Sequence, residues 1–331
     1  MNSLDGTVLV TGGAGYIGSH TVRSLREAGR DVVVLDSLEF GRREAVIDAP
    51  LVVGDIRDQD LVTATCNEHG VTQLVHFAAY KAVGESMEQP ARYWRNNVAG
   101  TVDLVEACLA SGVNDIVFSS SCSVNGTPAV NPVTEDAPIQ PESVYAESKA
   151  MVERILYWYG QTSDLRSVSL RYFNAAGASF DGRIGEDWTH SQNLIPLAMK
   201  AVLLKDRRLS VFGDDYDTPD GTCIRDYIHV ADLADAHVKS LDYLAAGGAT
   251  TAVNVGTGIG SSVYDVLEAT AAAAGEPVPY DIAPRRAGDP VATFAEPSYA
   301  QRTLGWSAQY GLTEIVDTAY AWHKSQVELG R

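Results

Sequence analysis

One turn near the N-terminus constrains this chain more than any other feature. The segment Thr11-Gly12-Gly13-Ala14-Gly15-Tyr16-Ile17-Gly18 follows an apolar run, Thr7-Val8-Leu9-Val10, and opens a stretch with helical patterning over residues 15–29. It reads as GxxGxxG on Gly12, Gly15 and Gly18, or as GxGxxG from Gly13. Glycine at such a strand-to-helix junction permits a tight turn, lets backbone approach a pyrophosphate, and removes a side chain between helix and strand. The helix N-terminus then directs unpaired N–H groups at the phosphates. Gly12, Gly15, Tyr16, Ile17 and Gly18 are therefore candidate cofactor contacts. The next apolar run ends in Asp36, eighteen residues beyond Gly18, where a carboxylate accepts from an adenosine ribose and repels a 2′-phosphate. The reading favours NAD over NADP.

The alternation continues. Strand-like runs lie at residues 31–36, 51–53, 73–77, 115–119 and 167–171, with helix-like stretches at 58–69, 91–111 and 144–160 between most of them. Repeated β-α-β order predicts a Rossmann-type doubly wound parallel sheet, an α/β fold, over residues 1–172. Beyond Tyr172 the regularity weakens into Gly-, Asp- and Pro-rich loops, which predicts a smaller C-terminal α/β substrate-binding lobe over residues 173–331. Segments near 224–256 are candidates to return to the main sheet. Ligands in such sheets bind outside the carboxyl ends of strands. Asp55 and Ile56 after the third run, and Phe77, Ala78 and Ala79 ending the fourth, are further cofactor candidates.

Composition narrows the function classes. The 331 residues carry 43 Asp+Glu against 25 Lys+Arg, a formal charge of -18 that repels nucleic-acid backbones. No apolar run approaches the ~18 residues that would span a bilayer, and no signal-like segment precedes Thr7, so no membrane association is expected and a cytoplasmic location is. Cys66, Cys108, Cys122 and Cys223 are widely spaced without a CxxC, so neither a disulfide framework nor a zinc site is expected.

Tyr145-Ala146-Glu147-Ser148-Lys149 sets a tyrosine and a lysine four residues apart, on one helix face. The spacing alone describes many solvated helices. The run Ser119-Ser120-Ser121 gives it weight, because it ends the fifth strand at the sheet edge where a nicotinamide belongs. Ionising a tyrosine of ordinary pKa near pH 7 takes about 4 kcal/mol. A lysine ~5–6 Å away supplies roughly 3 kcal/mol at an effective dielectric of about 20. Ser121, Tyr145 and Lys149 are thus the catalytic candidates, with Tyr145 as acid and base.

Taken together, these residues resemble the extended short-chain dehydrogenase/reductases, and within them the UDP-glucose 4-epimerase group. The resemblance covers nearly the whole chain and rests on TGGAGYIGSH at 11–20, HFAAYKAVGES at 76–86, NNVAGT at 96–101, FSSS at 118–121 and YAESK at 145–149. It continues through LRYFNAAGA at 170–178, GEDW at 185–188, NLIP at 193–196, VFGDDYDTPDGTCIRDYIHVADLA at 211–234 and APRRAGD at 283–289. It implies a tightly bound NAD that is regenerated in each turnover. Hydride leaves C4 of a UDP sugar, the 4-keto intermediate turns, and hydride returns to its other face, interconverting UDP-galactose and UDP-glucose. It further implies that Lys81, Asn96 and Tyr172, with Tyr145 and Lys149, contact the cofactor, and that Asn174, Asn193, Leu194, Phe212, Arg225, Arg286 and Asp289 hold the UDP part. Lys81, Ser121 and Tyr145 would also touch the substrate.

Ser121 is followed by Cys122 and Ser123 rather than an acid, so elimination chemistry lacks its proton carriers. An ordinary dehydrogenase would consume NAD in proportion to product, and a non-catalytic NAD-bound sensor would need none of Ser121, Tyr145 and Lys149. Thr293 falls where some relatives carry a bulky Tyr and leaves room for a C2 acetamido group. UDP-GlcNAc/UDP-GalNAc therefore stays open as the substrate pair, with UDP-xylose/UDP-arabinose and UDP-glucuronate as weaker alternatives. Asn125 stands where many relatives have Tyr. His190 is a candidate substrate contact, weighed against a solvated loop histidine. Apolar faces on the helices at 91–111 (Val98, Val102, Val105, Leu109) and 144–160 (Met151, Ile155, Trp158, Tyr159) suggest a homodimer through a four-helix bundle, as the resemblance implies.

Overall fold

In a computed structural model of the chain, which describes residues 6–189, 191–286 and 288–330, the valine-rich runs line up as one parallel sheet. In chain order the strands are β1 (Thr7–Thr11), β2 (Val32–Asp36), β3 (Leu51–Val53), β4 (Val71–His76), β5 (Asp115–Ser119) and β6 (Arg166–Tyr172). They are followed by β7 (Asn174–Ala176), β8 (Leu209–Phe212), β9 (Ile224–His229), β10 (Thr251–Val255), β11 (Gly260–Ser262), β12 (Tyr280–Ala283) and β13 (Ala292–Thr293). The main sheet runs β3-β2-β1-β4-β5-β6-β10 with every neighbour parallel. The order reverses between β1 and β4, and the crevice outside their carboxyl ends is where such sheets take ligands.

Period-2 alternation explains why these strands are apolar throughout. Val8, Val10, Val34, Val75, Val117 and Val168 face one side, with Val22 and Leu25 of helix α1 (Tyr16–Glu27). Leu9, Val33, Leu35, Leu74, Ile116 and Phe118 face the other, with Val62 of α2 (Gln59–His69) and partners from later helices. A parallel sheet covered on both faces leaves no room for polar alternation.

After α3 (Val83–Glu88) and α4 (Pro90–Tyr93), the helix expected over 91–111 is interrupted by a π-helical stretch, Trp94–Ala99, before resuming as α5 (Gly100–Ala110). The wider turn re-aims Asn97, a common use of such π insertions at functional sites. Helix α6 (Val144–Thr162) starts at Ser143, whose hydroxyl accepts from Ala146 N–H.

The later helices are α7 (Leu194–Leu204), α8 (Val230–Ala245), α9 (Val263–Ala274), α10 (Ser298–Leu304) and α11 (Leu312–Glu328). Of the two late segments that were candidates for the main sheet, Thr251–Val255 takes its edge beside β6. Ile224–His229 instead centres a smaller sheet, with β7 and β13 parallel to it and β11 antiparallel. It spans two cores: Ile228 packs with the main sheet, whereas Tyr227 packs with α7, α9 and α11. Strands β8 and β12 pair separately.

Candidate active site

The glycine turn is built as its sequence demands. Gly12 has φ +73°, and a Cβ there would lie 2.7 Å from Ala78 N, so the ends of β1 and β4 close on each other only around a glycine. At Gly18 a Cβ would lie 2.8 Å from Gly13 Cα and closer still to the Gly12 carbonyl oxygen. No side chain caps α1 at Gly15, so the N–H groups of Tyr16, Ile17 and Gly18 face the crevice. Asp36 accepts from Ala14 N–H at 2.9 Å and Leu38 N–H at 2.8 Å, which fixes its carboxylate at the end of β2 with lone pairs to spare. A side-chain-free cradle, a helix N-terminus and an anchored acid fit a dinucleotide. Tyr16 itself spans the crevice, its hydroxyl donating to Gly177 O at 2.6 Å.

Further cofactor candidates lie at or after the ends of β3 and β4 and in the π-helical stretch. Asp55 takes the Arg57 guanidinium on both oxygens, which holds its carboxyl below the usual range. Ile56 is buried, and Phe77, Ala78 and Ala79 are half-buried after β4. Lys81 is exposed, with its Nζ 4.0 Å from the buried Glu186. Asn96 donates to Asn97 Oδ1 at 3.1 Å.

Ser121, Tyr145 and Lys149 come together beyond β5. Lys149 is buried, its Nζ donating to Ser119 O at 2.7 Å and lying 4.8 Å from the Phe118 ring and 5.9 Å from the Tyr145 ring. Burial pushes its pKa down to about 7 against the opposing pull of Glu153. Burial also holds the Tyr145 phenol well above its ordinary value, partly countered by a hydrogen bond with Ser121. The positive charge that the Tyr-Lys spacing brings to the phenol therefore works against its desolvation in this pocket. Tyr172 closes the group, its hydroxyl 2.7 Å from Ser119 Oγ and its pKa pushed up to about 12 by burial.

Three of the substrate candidates lie on the smaller sheet: Thr293 of β13 pairs in register with Arg225 of β9, and Asn174 of β7 pairs with Tyr227 two residues further along β9. Arg225 Nη2 lies 3.8 Å from Asp289, and Arg286 makes a two-pronged pair with the same carboxylate at 2.8 and 3.1 Å. The Arg286 guanidinium also lies 5.6 Å over the half-exposed Phe212 ring. Thr293 Oγ1 is buried and, among the described residues, has no hydrogen-bond partner. Leu194 opens α7 and packs into the lobe's core, while Asn193 is exposed and, among the described residues, has no hydrogen bond to the arginine cluster. His190 lies outside the described residues. Asn125 turns its amide onto the Ala137 and Pro138 carbonyls, both at 3.0 Å, and so pins the loop after the serines.

Several positioning groups escaped sequence reasoning. Asn97, not its neighbour Asn96, is the buried one. It donates to Tyr80 O and Ser148 Oγ and accepts from Tyr80 N–H, tying the loop after β4 to the helix that carries Tyr145 and Lys149. Ser86 accepts from Tyr145 N–H at 3.1 Å. Asp226 collects N–H groups of Thr257, Gly258 and Ala295, locking β9 to its neighbours. All three lie inside quoted motifs, so the signal was present, but nothing in spacing tells an inward amide from an outward one.

This strand order, a glycine turn at its switch point and a Ser-Tyr-Lys cluster beside it define a dinucleotide-dependent enzyme of the short-chain dehydrogenase/reductase type. The model of the NAD dependent epimerase/dehydratase family matches residues 8–256, and the chain belongs to that family. A UDP-glucose 4-epimerase of Rhizobium meliloti is 46% identical over 323 residues, 98% of this chain and 98% of that protein. Among solved structures, UDP-glucose 4-epimerase from Brucella ovis in complex with NAD is 44% identical with a TM-score of 0.94, covering 96% of this chain and 98% of that one. UDP-glucose 4-epimerase from Bifidobacterium longum in complex with NAD+ and UDP is 38% identical with a TM-score of 0.90, covering 97% and 99%.

Proposed function

We propose that the chain is an NAD-dependent 4-epimerase that interconverts UDP-galactose and UDP-glucose. The observation that carries this is the position of Ser121, Tyr145 and Lys149, at the strand ends between the glycine cradle and the arginine cluster. The activity of the similar proteins supports it. Bound NAD would supply the hydride acceptor and donor for C4 and, when oxidised, positive charge that favours the ionised Tyr145. Tyr145 takes the proton of the 4-hydroxyl and later returns it, while Ser121 hydrogen-bonds the same oxygen. Lys149 keeps positive charge at the phenolate and holds the nicotinamide ribose.

Gly12, Gly15, Tyr16, Ile17 and Gly18 cradle the pyrophosphate, with Asp36, Asp55, Ile56, Phe77, Ala78, Ala79, Lys81, Asn96 and Tyr172 around the rest of the dinucleotide. Arg225 and Arg286 take the sugar nucleotide's diphosphate, sharing Asp289 as counter-charge, and Phe212 packs near the base. Asn174, Asn193 and Leu194 complete the UDP contacts. Residues 1–172 serve the cofactor and residues 173–331 the UDP sugar, with Thr251–Val255 lent back to the main sheet.

A second substrate is favoured by Thr293, a small residue whose buried hydroxyl has no partner among the described residues. A side chain smaller than Tyr, with a hydroxyl free to hydrogen-bond, suits an N-acetyl group, so UDP-GlcNAc/UDP-GalNAc is the competing pair. Incubating NAD-loaded protein with each UDP sugar and identifying the products separates the readings. Conversion of UDP-galactose alone supports the first, comparable conversion of both pairs adds the second, and conversion of neither removes both.

Among the described residues, no helix is long and apolar enough to cross a membrane. The homodimer rests on α6, which leaves Met151 and Trp158 42% and 56% exposed. Val105, expected on the dimer face of α5, is instead buried against the sheet. Light scattering should report twice the mass of one chain, and a mass near one chain would defeat the dimer.

A further inference from the structure

Behind the Ser-Tyr-Lys cluster lies an ion pair that the reaction as described leaves without a role. Glu153 sits one turn beyond Lys149 on the same face of α6, where residues four apart are neighbours. Its carboxylate takes the Arg171 guanidinium on both oxygens, with Nη2 at 2.6 Å, and accepts the Ser120 hydroxyl proton. Both side chains are largely buried, at 12% and 7% exposure. Arg171 is anchored in turn to the Glu135 carbonyl at 3.1 Å. The group therefore ties the serine run after β5 to β6 and to the helix bearing Tyr145 and Lys149.

An ion pair this deep is a poor device for stability, because desolvating two charges offsets most of their attraction, and apolar residues of similar size often do as well. Its location suggests another use. We propose that Glu153 is a positioning residue for catalysis, holding the buried Lys149 ammonium protonated and aimed, with Arg171 and Ser120 fixing the carboxylate in place. This rests on Lys149 acting with Tyr145 as above.

The surroundings leave few other candidates. Among the described residues, the titratable and charged groups around Lys149 are Tyr145 and Glu153 on its own helix, His76 on β4, Arg171 and Tyr172 on β6, and Cys122 beyond β5. His76 is neutral, with its pKa pushed down to about 3 by burial and by Lys149 itself, and it is held between Thr11 and Thr101 hydroxyls. Burial pushes Tyr145, Tyr172 and Cys122 all up, away from their charged forms. Arg171 adds positive charge. Glu153 alone of these groups opposes the loss of the Lys149 proton, which burial brings down to about 7.

The test is the pH profile of kcat for the NAD-loaded protein. Removing the carboxylate makes Lys149 easier to deprotonate, so activity that needs the ammonium fails at lower pH. In Glu153→Gln the basic limb should move down by about one pH unit or more, with bound NAD retained, and Glu153→Asp should restore much of it. Because Glu153→Gln strands the Arg171 charge and can impair folding, the double variant Glu153→Met/Arg171→Leu removes both charges together and should show a smaller downward shift, since the loss of the arginine offsets part of the loss of the carboxylate. A basic limb coincident with wild type in folded, NAD-loaded Glu153→Gln, or one moved upward in the double variant, would overturn the proposal. Absence of turnover in the wild type on any UDP sugar would instead overturn the functional reading beneath it.

Discussion

At the scale of single residues, Tyr145 presents the sharpest physical problem. Its burial opposes the ionised form that a base requires, so the pocket must assemble positive charge and hydrogen bonds at one oxygen. Tyr145→Phe removes that oxygen and little else. Its turnover should fall by about 10²–10⁴-fold, the usual contribution of a positioned acid–base group, while NAD stays bound. Turnover within a few-fold of wild type would place the base elsewhere. Tyr145, Lys149 and Ser121 were legible because their chemistry needs particular residue types at particular spacings. The groups behind them were not. Glu153 reads in sequence like any solvated helix acid, and only the fold brings Arg171 and Ser120 to it.

At the scale of elements, the strand-turn-helix start was fully written in the sequence, because Gly12 and Gly18 sit where a Cβ would strike backbone. In Gly18→Ala the turn must open. The variant should fold, as judged by circular dichroism, yet release its NAD during purification, and stoichiometric NAD in the purified protein would contradict the assignment of the cradle. The π-helical stretch was not legible, since a wider turn keeps the helical hydrophobic pattern around it. Its product is the seat of Asn97, so Asn97→Ala should uncouple the Tyr80 loop from α6. NAD affinity and kcat should fall together, and measured dissociation of NAD at the wild-type rate would refute that link. The smaller sheet was also poorly foreseen. Its strands are short and come from distant segments, with β13 only two residues long, and such pairings are set by tertiary contacts rather than by local pattern.

For the whole molecule, the charge of -18 means that anionic ligands cannot be drawn in by the overall field. On the proposed function, binding falls to local groups, the first-turn N–H donors of α1 and the two arginines facing Asp289. Added salt should therefore leave UDP-sugar association nearly unchanged or slightly faster, and a tenfold slowing by moderate salt in stopped flow would contradict this. Acid should act differently. Burial pushes His20, His229, His237 and His323 down to about 4 and His76 to about 3, so the folded chain keeps them neutral where the unfolded chain protonates near 6.5. The unfolded state binds more protons in that window, and stability is lost as pH falls from about 6.5 towards 4. Thermal denaturation should show Tm dropping by roughly 5–10 °C per pH unit there, and a flat Tm between pH 7 and 5 would show the histidines are not held neutral.

The central claim is that hydride leaves and returns within one turnover, so that NAD is used without being consumed. It is tested most directly by giving NAD-loaded protein UDP-galactose with no added cofactor, following sugar identity by NMR and reduced nicotinamide by absorbance. The account predicts many turnovers to UDP-glucose, the same final ratio when starting from UDP-glucose, and no reduced cofactor accumulating with product. Reduced nicotinamide rising in proportion to product, or no interconversion from either side, would contradict it.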